Sequence, residues 1–191
     1  MTDGDVSRLA RPRRGHFDLG TGYHGDLWLD LDALFLWPDR LGPAVGQLAR
    51  ELRGYRLDAV SGPLTGGAFL AQQLAGLLGT AFLPAHPAAG SQPGFRVAAG
   101  LRKGISGWRE VVADDAVNAG TAVLATCEEL RGAGAVPVAV AALLALGPAR
   151  ARLAGTLGLP FHAVSALASE AWPAGKCALC ASGVPIGQPP A

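Results

Sequence analysis

The stretch Val111-Val112-Ala113-Asp114-Asp115-Ala116-Val117-Asn118-Ala119-Gly120-Thr121-Ala122-Val123 decides how this chain is read. It opens with a short apolar run, sets two carboxylates side by side and turns through small residues. From Gly120 onward the pattern is helical. A buried strand ending in Asp-Asp before a helix places both acids at a strand's carboxyl end, where open α/β sheets take their ligands. Backbone N–H groups at such a turn and helix N-terminus can cradle a phosphate, and Asn118 and Thr121 add side-chain partners. Phosphate beside paired carboxylates points to a phosphorylated sugar whose hydroxyls, or a bound metal, meet Asp114 and Asp115. The plainer alternative is an N-cap and a solvated loop, so the neighbouring sequence has to decide.

Working outward, strand and helix alternate from residue 41 to about 165. Leu41, Val45, Leu48 and Leu52 fall at helical spacing, and Leu57 to Ser61 reads as a short strand running into Gly62-Pro63-Leu64-Thr65-Gly66-Gly67. A helix with Phe69, Leu70, Leu74, Leu77 and Leu78 follows, then a strand from Ala81 to Ala85. Residues 86–107 are rich in glycine and proline and carry Arg96, Arg102 and Lys103; connections this long serve as lids, binding loops or a hairpin. Beyond the central stretch, Val123 to Leu130 is helical, Val136 to Leu146 is a buried central strand, Ala149 to Leu157 a short helix and Phe161 to Ser165 a last strand. Such alternation predicts an α/β fold, a mostly parallel sheet flanked by helices. The glycine-rich stretch from Gly15 to Asp26 reads as hairpin or loop, and the tail from Ala171 as irregular.

Composition narrows the function classes. In 191 residues, 50% hydrophobic and 16% charged, a packed core is expected and disorder is not. Basic and acidic side chains number 16 and 15, a net charge of +1, which gives no electrostatic case for nucleic acid. No apolar run reaches membrane-spanning length and the N-terminus has no apolar h-region. The three cysteines do not form a secreted disulfide framework, so the expected compartment is cytoplasmic. Cys177 and Cys180 have CxxC spacing, but the sequence shows no second pair or nearby histidine pair to complete a zinc site; a structural turn is the expectation. His16 and His24 read either as base-pocket residues or, preferably, as loop histidines bonded to backbone. Trp28 and Trp37 are expected in hood or interface packing.

Gly62 to Gly67 carries no acid but many accessible amides, as a pyrophosphate site needs. With the acidic strand end, it allows one loop to hold a diphosphate and the other a monophosphate and a sugar. On these residues the chain resembles the type I phosphoribosyltransferases, in particular the orotate phosphoribosyltransferases. Val111 to Val123 is similar to their phosphoribosyl pyrophosphate motif, Ser61 to Gly67 to their pyrophosphate loop, and Gly15-His16-Phe17 through Asp30 to the segment that forms a hood over the base. Cys177-Ala178-Leu179-Cys180 with Gly183-Val184-Pro185 resembles a C-terminal pattern of some bacterial members. The resemblance implies one domain over residues 1–191, with a core at about 41–165 and a hood at about 15–40 and 166–191. It implies transfer of a phosphoribosyl group from phosphoribosyl pyrophosphate to a nucleobase, with Mg2+ as cofactor, by a homodimer.

By the same resemblance Asp114 and Asp115 are catalytic and meet the metal indirectly, through ribose or water. Arg102 and Lys103 of a mobile loop are catalytic as well. Leu64, Thr65 and Gly66 lie at the pyrophosphate, and Asn118, Ala119, Gly120, Thr121 and Ala122 at the 5′-phosphate. Phe17, Gly20, Thr21 and Arg150 fall to the base. Some positions depart from the family: Asn118 stands for a threonine, Gly20 for a polar residue beside the base, His86-Pro87 for an acidic-basic pair, and Gly147-Pro148 for an Asp-Arg pair whose arginine meets the base carboxylate. The last of these predicts weak or no use of orotate unless Arg150, Arg13 or Arg14 substitutes. A non-catalytic binder of the same ligand on the same fold is the alternative; a nucleoside triphosphate enzyme is disfavoured, because no GxxxxGK[ST] sequence is present.

Overall fold

The computed structural model describes residues 6–20, 22–88 and 94–188. The strands in chain order are β1 Arg13–Asp18, β2 Tyr23–Trp28, β3 Ala59–Pro63, β4 Ala81–Pro87, β5 Phe95–Val97, β6 Arg109–Val117, β7 Val136–Leu146, β8 Phe161–Leu167 and β9 Ala171–Pro173. The helices are α1 Val6–Leu9, α2 Asp32–Phe35, α3 Pro38–Leu52, α4 Gly66–Leu78, α5 Ala99–Arg102, α6 Thr121–Gly132, α7 Ala149–Leu157 and α8 Ala178–Ala181.

Six strands make the central sheet, in the order β5-β4-β3-β6-β7-β8. Neighbours are parallel except for the antiparallel β4–β5 pair. Parallel neighbours need a crossover, and α4, α6 and α7 supply it. Helical periodicity decides which faces they cover. Leu48 of α3 and Leu70 and Leu74 of α4 close one face; Val123 and Leu130 of α6 and Leu153 of α7 close the other. β7 lies between two strands and under both layers, which is why Ala139 through Ala145 is buried without alternation.

The order of the sheet places the crevice. From β3 the chain crosses over α4 to β4 on one side; from the adjacent β6 it crosses over α6 to β7 on the other. Two neighbouring strands whose connections leave in opposite directions open a gap at their carboxyl ends, the usual ligand position in such sheets. Above it stands a second, antiparallel sheet in the order β1-β2-β9, in which Tyr23, His24 and Gly25 pair with Pro173, Trp172 and Ala171. Hood strands thus come from both ends of the chain.

Two local expectations change. β6 does not end at the acids but runs through them to Val117, because Asp114 and Val117 pair with Ala142 and Ala145 of β7. The 86–107 segment is no free lid in its described part. β4 and β5 form a hairpin, with the Ala88 N–H donating to Gly94 O at 2.8 Å. Val97 and Ile105 are buried in the core. Residues 89–93, at the hairpin tip, lie outside the described residues.

Candidate active site

The acid pair and the glycine loop meet in the crevice. Asp114 and Asp115 are 6% and 8% exposed. A methyl group on Gly67 would come to 2.7 Å from Asp114 Oδ1, and one on Gly66 would overlap the Asp115 carboxylate. Glycine at both positions is therefore what lets two carboxylates sit on the first turn of α4. No side chain caps that turn at Thr65, so its amides and the helix dipole face the acids. The carboxylates also accept backbone N–H groups, Asp115 N–H on Asp114 Oδ1 at 3.1 Å and Ala116 N–H on Asp115 Oδ1 at 2.7 Å. Even so, burial pushes both carboxyls above the ordinary range, and for Asp114 the neighbouring Asp115 charge adds to it. Such a pair gives up its protons reluctantly until cationic or hydroxylic partners arrive.

Next to the acids, Asn118 to Ala122 form a phosphate-sized concavity. Gly120 has φ of 79°, a conformation that turns the chain directly into α6, and no side chain caps the helix. The first-turn amides of this helix are thereby free for an anion. A cleft of about 690 Å³ is lined by Asp114, Ala116 to Ala122, Arg152 and, from the hood, Leu19, Tyr23, Ala171 and Pro173. Leu64 is exposed at 47%, with its N–H on Ala85 O at 2.7 Å, and Thr65 sits beside it at the N-cap of α4. The residues expected around a phosphorylated ribose and its diphosphate are thus gathered at one end of the sheet.

The base side is built differently from expectation. A smaller cavity of about 310 Å³ lies between hood and sheet, lined by Leu19, Leu27, Trp28, Leu29, Asn118 and Leu146, with Ser169 and Glu170 at its polar end. Ser169 Oγ is buried without a partner among the described residues. Phe17 does not reach this cavity; it is buried behind Trp28, with ring centroids 6.1 Å apart. Gly20 caps the hairpin loop through its N–H on Asp18 Oδ1 at 2.8 Å, and Thr21 lies outside the described residues.

Three expected cations are elsewhere. Arg150 donates to Phe161 O at 2.7 Å and lies over the Phe161 ring, away from the cleft. Residues two apart on a helix point about 200° apart, so it is Arg152 that faces the cleft, with a 3.4 Å bond to Asn118 O. Arg102 pairs with the buried Glu129 at 2.9 Å. Glu129 lies about 12 Å along α6 from the phosphate end and also accepts from Val97 N–H of the edge strand β5, so Arg102 is held at that edge of the sheet, away from the acids. The exposed Lys103 follows it in sequence and precedes β6. Arg102, paired with Glu129, does not reach the acids. Arg152 was not expected from the sequence; Arg14, one of the hood arginines expected as substitutes, lines an adjoining cleft of about 700 Å³ with Gly147, Pro148 and Ser169. Arg14 donates to Asp26 at 2.7 Å and to Ala168 O.

No family model matches the chain. Among curated proteins it is 28% identical over 185 residues to the orotate phosphoribosyltransferase of Caldanaerobacter subterraneus, covering 95% of this chain and 92% of that one. To the orotate phosphoribosyltransferase of Thermus thermophilus it is 31% identical over 178 residues, covering 90% of each. The chain belongs to the orotate phosphoribosyltransferase family. Solved structures agree on the fold: the orotate phosphoribosyltransferase of Aeropyrum pernix superposes with a TM-score of 0.68 at 24% identity, over 87% of this chain and 94% of that one. The adenine phosphoribosyltransferase of Thermoanaerobacter pseudethanolicus does so with a TM-score of 0.68 at 17% identity, over 85% and 98%. Within this orotate phosphoribosyltransferase fold the acid pair, the two glycine turns and the hood occupy one crevice.

Proposed function

We propose that this chain transfers the phosphoribosyl group of phosphoribosyl pyrophosphate to a nucleobase of the orotate class. The observation that carries the proposal is the packing of Asp114 and Asp115 on Gly67 and Gly66, beside the uncapped start of α6. The α6 amides hold the 5′-phosphate, the acids take the ribose hydroxyls, and the loop at Leu64, Thr65 and Gly66 faces the diphosphate. Transfer breaks the bond from ribose C1 to the diphosphate oxygen and joins that carbon to a base nitrogen. Positive charge builds on the ribose as it does so, and the adjacent carboxylates stabilise it by position. The hood's Leu19 and Trp28 cover the base and exclude water.

The donor set fits Mg2+: hard carboxylate oxygens beside a site for substrate phosphates, which is how that ion is commonly held. Asp114 and Asp115 would hold it through ribose or water, and when bound it neutralises charge on the departing diphosphate. Arg14 and Arg152 flank the space below Gly147-Pro148 and are the partners for a base carboxylate. Arg14, one of the hood arginines expected as substitutes, and Arg152, which the sequence did not place there, thus offset the missing arginine, and orotate is kept as acceptor. The compartment proposed is the cytoplasm; no helix among the described residues is long and apolar enough to cross a membrane. Homodimerisation is proposed through the exposed Leu36, Trp37 and Phe69, at 60%, 58% and 56% exposure.

A second reading, binding without turnover, is favoured by the Arg102–Glu129 pair, which keeps that expected catalytic cation off the diphosphate. Incubation with phosphoribosyl pyrophosphate, Mg2+ and a panel of purine, pyrimidine and nicotinate-like bases separates the two. Appearance of a nucleoside monophosphate by mass spectrometry supports transfer, with orotate the preferred base. Ligand-induced thermal stabilisation with no product from any base would leave only the binder.

A further inference from the structure

We propose that His16, His24, Cys177 and Cys180 form a tetrahedral zinc site that fastens the hood together. The residues come from three places: His16 from β1, His24 from β2, and the two cysteines from the C-terminal segment, Cys177 just before α8 and Cys180 within it. Their ligand atoms lie within 4.8 Å of one another. His16 Nε2 is 3.2 Å from His24 Nδ1, 3.4 Å from Cys177 Sγ and 3.7 Å from Cys180 Sγ; His24 Nδ1 is 3.2 Å from Cys180 Sγ. Zinc bound at about 2.1 Å to nitrogen and about 2.3 Å to sulfur spans a tetrahedron with edges of about 3.4 to 3.8 Å. The four spacings of 3.2 to 3.7 Å lie close to those edges, within a cluster no wider than 4.8 Å.

Hydrogen bonding alone explains the cluster poorly. His16 Nδ1 lies 2.7 Å from Val184 O, and a carbonyl can only accept, so that nitrogen carries the proton. Its Nε2 then has one lone pair in the neutral ring, faced by three heavy atoms. A cation shared by all four answers this crowding, and a carbonyl on the far ring nitrogen is how ligating histidines are usually oriented. Cysteine sulfur and imidazole nitrogen with CxxC spacing form a donor set that suits zinc.

Burial gives an independent reason. Of the described residues from 174 to 188, only Cys177 is buried, and Val184 and Ile186 are 41% and 50% exposed. That tail has no apolar core to hold it, yet it packs against β1, with Gly187 N–H on His16 O at 2.6 Å. Small units with little core commonly need a metal or disulfide to fold. In sequence the site is invisible, since the cysteines stand far from both histidines and are brought to them by the β2–β9 pairing and the contacts of Val184 and Gly187 with His16. The proposal does not depend on the chemistry of the cleft: the zinc would hold Tyr23 and Pro173 in its wall without touching substrate.

The test uses the full chain, purified under reducing conditions without chelator. Elemental analysis should find about one zinc per chain. Replacement by Co2+ should give the strong visible bands of a tetrahedral thiolate centre. Cys180→Ser should lose the metal, while Cys180→His, which keeps a ligand, should retain it. Chelation should raise hydrogen exchange in β1, β2 and 174–188 and leave β6 and β7 unchanged. A folded, reduced chain with no zinc and no cobalt spectrum, iron in place of zinc, or a Cys177–Cys180 disulfide seen by intact mass would overturn the proposal.

Discussion

Glu110 is wholly buried on β6, with one carboxylate oxygen accepting from the Ser61 hydroxyl and the other without a partner among the described residues. Burial, aided by the nearby Asp58 charge, pushes its pKa up to about 7, against 4.5 for the free side chain. Folded Glu110 keeps its proton to higher pH than the unfolded chain does. The native state therefore binds more protons in that window, and stability falls as pH rises from about 4.5 to about 7. The loss is on the order of 3 kcal/mol. Glu110→Gln, compared with the parent by urea unfolding at pH 5 and pH 8, should gain most of that at the higher pH and little at the lower; equal offsets at both would contradict it. The acid pair has the same sign. Asp114→Asn should stabilise the protein above neutral pH while abolishing its stabilisation by phosphoribosyl pyrophosphate, otherwise about 2.7 kcal/mol at a hundredfold excess over Kd. At this scale the acids were legible in the sequence, because Asp-Asp before a small-residue turn, taken with the glycine loop at 62–67, fits one phosphate and sugar site better than an N-cap. Glu110 was not, because nothing local shows that the oxygen of Ser61 on the next strand will meet it.

Helix α4 begins with two glycines, a poor start by intrinsic propensity, since alanine is favoured over glycine by about 1 kcal/mol inside a helix. Gly66→Ala should nevertheless lose stability and ligand binding together, because its methyl group would displace the Asp115 carboxylate. A gain in melting temperature with binding intact would show that the acid does not pack there. At the sheet's edge, Arg102→Ala should cost about 1 to 3 kcal/mol by leaving Glu129 short of a charged partner, with Arg96 at 3.8 Å as partial replacement. Lys103→Ala should change neither stability nor turnover by much. A large drop in turnover for Lys103→Ala would mean that the segment rearranges over the substrate. Apolar periodicity showed most elements here. It left residues 86–107 open between lid, binding loop and hairpin, because a hairpin rich in glycine and proline has the composition of a lid; the β4–β5 pairing, with Val97 and Ile105 in the core, shows that it is packed.

The whole molecule places two anion-binding turns at one switch point of a parallel sheet and covers them with a hood drawn from both ends of the chain. The parallel sheet followed from alternation of elements. The hood's contribution did not, because Arg14, Asp26 and Trp28 become neighbours of Ser169 and Glu170 only through long-range pairing. Nor did α7 show which arginine faces inward; its helical phase chose Arg152. Arg152→Ala should raise the KM for orotate by about 10- to 100-fold, the cost of one bond to a charged group. Arg150→Ala should leave that KM unchanged. The most direct test of the account is the initial rate of pyrophosphate release with phosphoribosyl pyrophosphate, Mg2+ and orotate. The parent chain should turn over, and Asp114→Asn with Asp115→Asn should remain folded while losing about 100-fold or more of that rate. A parent that releases no pyrophosphate, or a folded double variant that keeps the parent's rate, would contradict it.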